Sequence, residues 1–367
     1  MLKKLLIALF ATVMVICLVG CGTAGQATTP TNEVSPASTP SAETSTEPTA
    51  TATATATAVE YKPVQLTFTT SGTQAENASI EVQKMADSIS QESGGKVQIK
   101  TYFSAALVAQ DQEIPSTMAG NIDICITDPG TVANYVSDFK VFTVPYLFTG
   151  YDQWQKYQNS DLGKQMDEKI VQVMGLRKIA AYYVGARGIN LRVDKKVTSR
   201  ADLSGVKLRV MNTKAWLAIG TALGANPMPL AFGDLYLALQ TGTVDGQDNP
   251  ITTSASAAFQ EATKSYTHTN HFLGTQYLLI NDKNFQSLEP QTQDLILKYA
   301  AICQQNISER NLSGEKELDT TFGIPVYTLT DAELASLQKE VVDAFFSVSD
   351  NTEGIDMDVF HQIQSIK

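Results

Sequence analysis

The sequence predicts an α/β protein of two lobes, each an open sheet flanked by helices, and three observations carry that prediction. Strand patterns alternate with helical ones, about 300 residues follow Tyr61, and the alternation starts afresh near Lys178. A chain of that length is too long for one hydrophobic core and divides into two. Alternating strands and helices pack as an open, mostly parallel sheet with helices on both faces.

Ahead of these elements, the first twenty residues have the layout of an export signal: basic Lys3 and Lys4, an apolar run from Leu5 to Val19, then small residues. That run is too short to be a spanning helix. Leu18-Val19-Gly20-Cys21 has the form of a bacterial lipobox, in which small residues fit the signal peptidase and the cysteine thiol receives diacylglycerol. Residues 1–20 are thus expected to be a lipoprotein signal peptide and Cys21 the lipidated residue. Residues 21–60 are almost entirely Thr, Ala, Pro, Ser, Gly and Glu after the cysteine, too poor in apolar surface to offset their ordering entropy. They are expected to be a disordered tether with a reach of roughly 35 Å.

Val64 to Thr70 alternates apolar and polar residues and reads as a strand. Residues 77–92 show helical spacing through Ile80, Met85 and Ile89, and Gly94-Gly95 closes that helix before the strand Val97 to Tyr102. A helix follows near 111–119, then a strand at Ile122 to Ile126 and an apolar stretch from Val141 to Phe148. In the second series Ile179 to Val184 and Val206 to Val210 read as strands, 213–223 and 232–240 as helices, and Leu278 to Asn281 as a strand. A long helical pattern from Pro290 to Asp319, interrupted at Gly314, is placed across both lobes. Ligands of open α/β sheets sit at the carboxyl ends of strands, so the natural site is the cleft between the two.

The net charge of −11 argues against nucleic acid or an anionic surface as partner. Any anion bound must be held by local cations. With Cys17 in the signal and Cys21 lipidated, Cys125 and Cys303 remain, each in an apolar stretch and read as buried free thiols rather than a disulfide. The catalytic inventory is thin. His268-Thr269-Asn270-His271 lacks the glutamate and the i, i+4 spacing that place two zinc ligands on one helical face, so no metal site is expected. Ser93-Gly94-Gly95-Lys96 has the Ser-x-x-Lys spacing of acyl-serine enzymes, but two glycines make it a turn. No cofactor is called for.

The stretch from Asp202 to Pro250 is different in kind. Arg209 lies on a strand between apolar Leu208 and Val210, so its guanidinium either reaches a cleft and a ligand or forms a structural ion pair. Around it stand Leu208-Arg209-Val210, Pro229-Leu230-Ala231-Phe232 and Val244-Asp245-Gly246-Gln247-Asp248-Asn249-Pro250. With Glu92-Ser93-Gly94-Gly95-Lys96-Val97, Gly120-Asn121-Ile122-Asp123 and Val144-Pro145-Tyr146-Leu147-Phe148 upstream, the chain after the tether resembles the solute-binding subunits of tripartite ATP-independent periplasmic (TRAP) transporters.

That resemblance implies a two-lobed periplasmic-binding-protein-like fold: two open mixed sheets flanked by helices, joined by hinge strands and a long helix spanning both lobes. Lobe I would comprise 61–186 with 275–314 and lobe II 187–274 with 315–367. It implies an extracytoplasmic monomer that is not an enzyme and that delivers a small organic acid to the transporter's membrane subunits; a binding protein of another transporter or of a sensor kinase is the alternative. By the same resemblance Arg209 pairs with the ligand carboxylate, Asn249 contacts it and Phe232 packs on the ligand. A second arginine maps onto Arg187, with Arg192 as the alternative, and Ser71 and Asp128 supply the first-lobe rim. Arginine suits the role because its planar fork matches a carboxylate and stays charged. The family commonly has proline where this chain has Met211, and Trp216 either lines the pocket or simply packs. Asp128 would repel a second carboxylate, which favours a ligand with a hydroxyl or amine at that end.

Overall fold

The computed structural model describes residues 59–367; the expected signal peptide, Cys21 and all but the end of the tether lie outside the described residues. In chain order the strands are β1 (Val64–Thr69), β2 (Val97–Tyr102), β3 (Ile124–Thr127), β4 (Leu176–Leu191), β5 (Lys207–Val210), β6 (Asn226–Pro229), β7 (Gly246–Pro250), β8 (Ser265–His268), β9 (Leu273–Asn281) and β10 (Val326–Thr328). They form two sheets that share β4: one runs β2-β1-β3-β9-β4, the other β6-β5-β7-β4-β8-β10. The pairing is mixed rather than mostly parallel. β1 lies parallel to β2 and β3, and β5 to β6 and β7, but β9 runs antiparallel to β3 and β4, as does β4 to β7 and β8. The physical reason is the double crossing. β4 leaves the first lobe and β9 returns to it alongside, so the two neighbours run in opposite senses.

In the first sheet the strand period of two sorts side chains onto two cores. Ile124, Ile126, Leu278 and Ile280 join Leu66, Phe68 and the helix Asn77–Glu92 on one face, whereas Cys125, Tyr277 and Leu279 face the other. Both faces are covered, which is why these strands read as continuous apolar runs. Each fully buried Leu or Ile contributes ~1.5–3 kcal/mol. Cys125 and Cys303 sit in different cores as free thiols.

The long helix runs unbroken from Pro290 to Thr321, passing through Gly314 without interruption. Leu295, Ile296, Ala300, Cys303 and Ile307 bury its first half against the first sheet. A second stripe, Gln304, Ser308, Asn311 and Glu315, recurs at helical spacing and faces the free edge of β4. Gln304 Oε1 accepts from Ala181 N at 2.8 Å, Ser308 Oγ from Tyr183 N at 3.1 Å and Glu315 Oε1 from Ala186 N at 2.7 Å, while Asn311 Nδ2 donates to Tyr183 O at 2.8 Å. An edge strand's backbone groups are thereby satisfied by side chains where no further strand lies.

Gly185 sits where the register of β4 against β9 shifts, at φ +135°. A Cβ there would meet Pro250 Cβ at 2.6 Å and Glu315 Oε1 at 2.8 Å. Gly185→Ala is therefore expected to lower the unfolding free energy by about 1–3 kcal/mol, through backbone strain and the lost fit to Pro250. Urea denaturation of the two proteins checks it; an unchanged midpoint counts against this account of the hinge.

Candidate functional site

One cavity between the lobes is lined by all six side chains the sequence singled out: Arg209, Arg187, Asn249, Phe232, Asp128 and Ser71. The second sheet supplies three of them. Arg187 lies on β4, Arg209 on β5 and Asn249 on β7, three strands that lie side by side in that sheet. Ser71 follows β1 and Asp128 follows β3, so both stand at carboxyl ends of first-sheet strands.

Arg209 is 1% exposed, and its Nε donates to Leu230 O at 2.9 Å. Nη2 has no partner among the described residues, and no carboxylate there lies within ion-pair distance. Burial pulls the guanidinium down to about 10, with Asp248 opposing and Arg187 adding to the fall. It therefore remains charged at neutral pH. Phe232, half-buried, has its ring centroid 5.9 Å from the guanidinium carbon.

Arg187 is held differently. Its Nε donates to Asp248 Oδ2 at 2.8 Å, and its Nη2 to Asp248 O at 2.6 Å and Asn249 Oδ1 at 3.0 Å. Its guanidinium carbon lies 4.3 Å from the centre of the Trp216 ring, a cation–π contact. Asp248 is also 3.3 Å from His271 Nε2, and Thr269 Oγ1 lies 2.7 Å from His271 Nδ1. Burial would raise the Asp248 carboxyl, but the Arg187 charge and the His271 hydrogen bond hold it well below the usual carboxylate range. Burial lowers His271 in spite of Asp248. Arg187 is thus neutralised in place by a carboxylate, and Arg209 is not.

The amide of Asn249 is oriented on both sides, accepting from Arg187 and donating from Nδ2 to Gln247 Oε1 at 2.5 Å. Trp216 is 1% exposed, packs against Phe272 with ring centroids 5.0 Å apart, and also lines the cavity, where its Nε1 has no partner among the described residues. Met211 lines the cavity as well. Arg192 lies elsewhere, on a surface groove beside Gly242. Asp128 caps the short helix Pro129–Val132, and its two oxygens accept from Thr131 N at 3.0 Å and Thr131 Oγ1 at 2.5 Å.

Two acids on the first-lobe wall were not among the expected residues. Glu113 is 4% exposed and its Oε1 has no partner among the described residues. Burial raises its carboxyl to about 8, with hydrogen bonds from Ser71 opposing and Glu76 adding. Burial raises Glu76 to about 7. Beside them Gln110 bridges the lobes, its Oε1 accepting from Phe232 N at 3.0 Å.

The profile of bacterial extracellular solute-binding proteins, family 7, matches residues 68–351, and the chain belongs to that family. The sialic acid-binding periplasmic protein of Vibrio cholerae is 30% identical over 230 residues, which cover 62% of this chain and 71% of that one. The 2,3-diketo-L-gulonate-binding periplasmic protein of Escherichia coli is 28% identical over 306 residues, covering 80% and 89%. Among solved structures, a TRAP periplasmic solute-binding protein from Roseobacter denitrificans with bound 3-deoxy-D-manno-oct-2-ulosonic acid superposes with a TM-score of 0.78. It is 27% identical, and the match covers 83% of this chain and 100% of that one. The sugar acid binding protein of Advenella mimigardefordensis in complex with galactonate gives 0.77 at 25% identity, covering 84% and 100%.

The raised Glu113 carboxyl has a consequence for stability. Its folded value of about 8 lies above the ordinary 4.5, so between those values the folded state binds more protons than the unfolded one and this group's contribution falls as pH rises. Glu76 acts in the same sense, and the groups facing Glu113 are Glu76, Ser71 and the Cys125 thiol. Glu113→Gln is expected to melt higher than the native protein without ligand, by a margin that widens between about pH 5 and pH 8. A margin independent of pH in melting curves would contradict the assignment.

Proposed function

We propose that the protein captures a small organic carboxylate in this cleft, with Arg209 as its anchor, and delivers it to a TRAP-type secondary transporter. The observation that carries the reading is the buried Arg209 guanidinium, charged, facing the cavity and without a carboxylate partner among the described residues. A ligand carboxylate completes it through the guanidinium fork. Asn249 adds a neutral donor, Phe232 packs on the ligand, Arg187 supports the same end from its pair with Asp248, and Ser71 and Asp128 form the opposite rim. The protein acts outside the cytoplasm as a monomer, binding and releasing its ligand without chemical change. Cys21 carries the lipid that holds it to the membrane, and no helix of the described residues is long and apolar enough to cross one.

Arg209→Ala removes the partner of a desolvated anion, at a cost of about 2–5 kcal/mol, or roughly 30-fold to several thousandfold in affinity. Arg209→Lys recovers little, since an ammonium does not reproduce two parallel hydrogen bonds. The unliganded melting temperature is expected to hold, because no ion pair within the protein is broken. Calorimetric titration with the acid that binds best, beside melting curves, checks both. Near-normal affinity in well-folded Arg209→Ala would sink the anchor.

Anchoring is tested separately. Cys21→Ser is expected to leave the precursor unlipidated and to shift it out of the detergent-extracted membrane fraction. Unchanged mass and distribution would defeat the lipid anchor while leaving the binding site untouched.

A further inference from the structure

The two walls of the cavity belong to different sheets, and the hydrogen bonds of the lining side chains run mostly within one wall or the other. Among the described residues a single bond joins a lining residue of 70–131 to one of 187–253: Gln110 Oε1 accepts from Phe232 N at 3.0 Å. Gln110 opens a short 3₁₀ turn, Gln110–Gln112, between β2 and the helix Glu113–Met118. Its neighbours Ala109, Asp111 and Gln112 are exposed, and Gln110 alone of the four is half-buried.

Phe232 opens a second such turn, Phe232–Asp234, which leads directly into the helix Leu235–Thr241. The first N–H groups of a helical turn have no partner within it, and a side-chain oxygen just ahead commonly meets one of them. Ala231 stands in that place and has no oxygen on its side chain. Gln110 supplies the acceptor from across the cavity instead. The segment it caps is also the one that holds Arg209. Leu230 N donates to Val210 O at 3.1 Å, Leu230 O accepts from Arg209 Nε at 2.9 Å, and the Phe232 ring centre lies 5.9 Å from the guanidinium carbon. One hydrogen bond from the first wall thus reaches the backbone that orients the cation of the second, and it does so without adding a charge.

We infer that Gln110 is a latch across the cleft: it caps the Leu230–Phe232 segment from the opposite wall, keeps that segment set against Arg209, and so slows the escape of a bound acid. This rests on the reading of Arg209 as the carboxylate anchor. Drawing the walls apart breaks the bond and returns Phe232 N to water, so the latch acts only while the cleft is closed. Its effect therefore falls on the rate of release, where most differences in affinity among variants of one site lie. Gln110 is a positioning residue, and the role asks only for an acceptor, because the partner is a backbone N–H.

Two measurements on the full chain in detergent test it. The first needs no ligand. Hydrogen exchange in peptides covering residues 230–234 is expected to be faster in Gln110→Leu than in the native protein, and near native in Gln110→Glu, which keeps the acceptor oxygen. The second is stopped-flow tryptophan fluorescence with D-galactonate, D-glucuronate, pantoate and succinate, Trp216 lining the cavity. For whichever acid binds tightest, Gln110→Leu is expected to release it about three- to tenfold faster, with association within about twofold of native. Gln110→Glu should release it at close to the native rate; the charge it adds shows instead in association and fades with salt. A merely structural role would lower the unliganded melting temperature and leave release unchanged. That result overturns the latch, as does equal exchange at 230–234 in native protein and Gln110→Leu, or Gln110→Glu releasing as fast as Gln110→Leu. Failure of all four acids to bind overturns it too. Arg209→Ala run with the same acid tells the two readings apart. If it binds normally, the anchor is wrong and the latch's part in holding it falls as well; if it loses binding while Gln110→Leu releases at the native rate, only the latch fails.

Discussion

The buried pair of Arg187 and Asp248 is the interaction on which the cleft depends. Two arginines side by side in a desolvated wall repel each other and are each costly to bury. Asp248 resolves half of that difficulty by neutralising one of them. Because Asp248 is itself fixed by His271, and Arg187 lies over Trp216 and holds the Asn249 amide, the pair also sets the positions of the groups around it. Arg209 then stands without a carboxylate partner among the described residues, free for the anchoring role we propose.

Such a site is kept at the expense of stability. Arg209 Nη2, Trp216 Nε1 and Glu113 Oε1 are buried polar atoms without partners among the described residues, all three on residues lining one cavity. Unpaired buried polar atoms are uncommon in folded proteins and costly. Three of the eight such side-chain atoms among the described residues stand on the cavity lining, while the edge of β4 is hydrogen-bonded by Gln304, Ser308, Asn311 and Glu315.

Much of this was legible in the sequence, and the reasons for what was not are physical. β1, β2 and the helix between them follow from alternation, periodicity and the Gly94-Gly95 turn, with both glycines at positive φ. The long strand β4 was visible only as Ile179 to Val184, because Gly185, Arg187 and Gly188 interrupt its apolar pattern where it passes from one sheet to the other. β7 reads Gly-Gln-Asp-Asn-Pro, against every strand propensity, and is a strand because its neighbours on both sides are. β6 tolerates two prolines because it is an edge strand. In the site, Arg209, Arg187 and Asn249 were carried by motifs on adjoining strands. Glu113 was missed because Gln110-Asp111-Gln112-Glu113 is polar throughout, and only the fold buries its last residue, beside Ser71 and Glu76.

The topology of the first sheet also bears on how the protein is made. β9 lies between β3 and β4, yet it is encoded about 80 residues after β4 ends. Until residues 273–281 have been synthesised, the first sheet lacks the strand that joins β3 to β4. The lobe that starts first is closed late, through contacts of long sequence separation that form slowly. A nascent chain built in this order keeps its leading half open until residues 273–281 have been made.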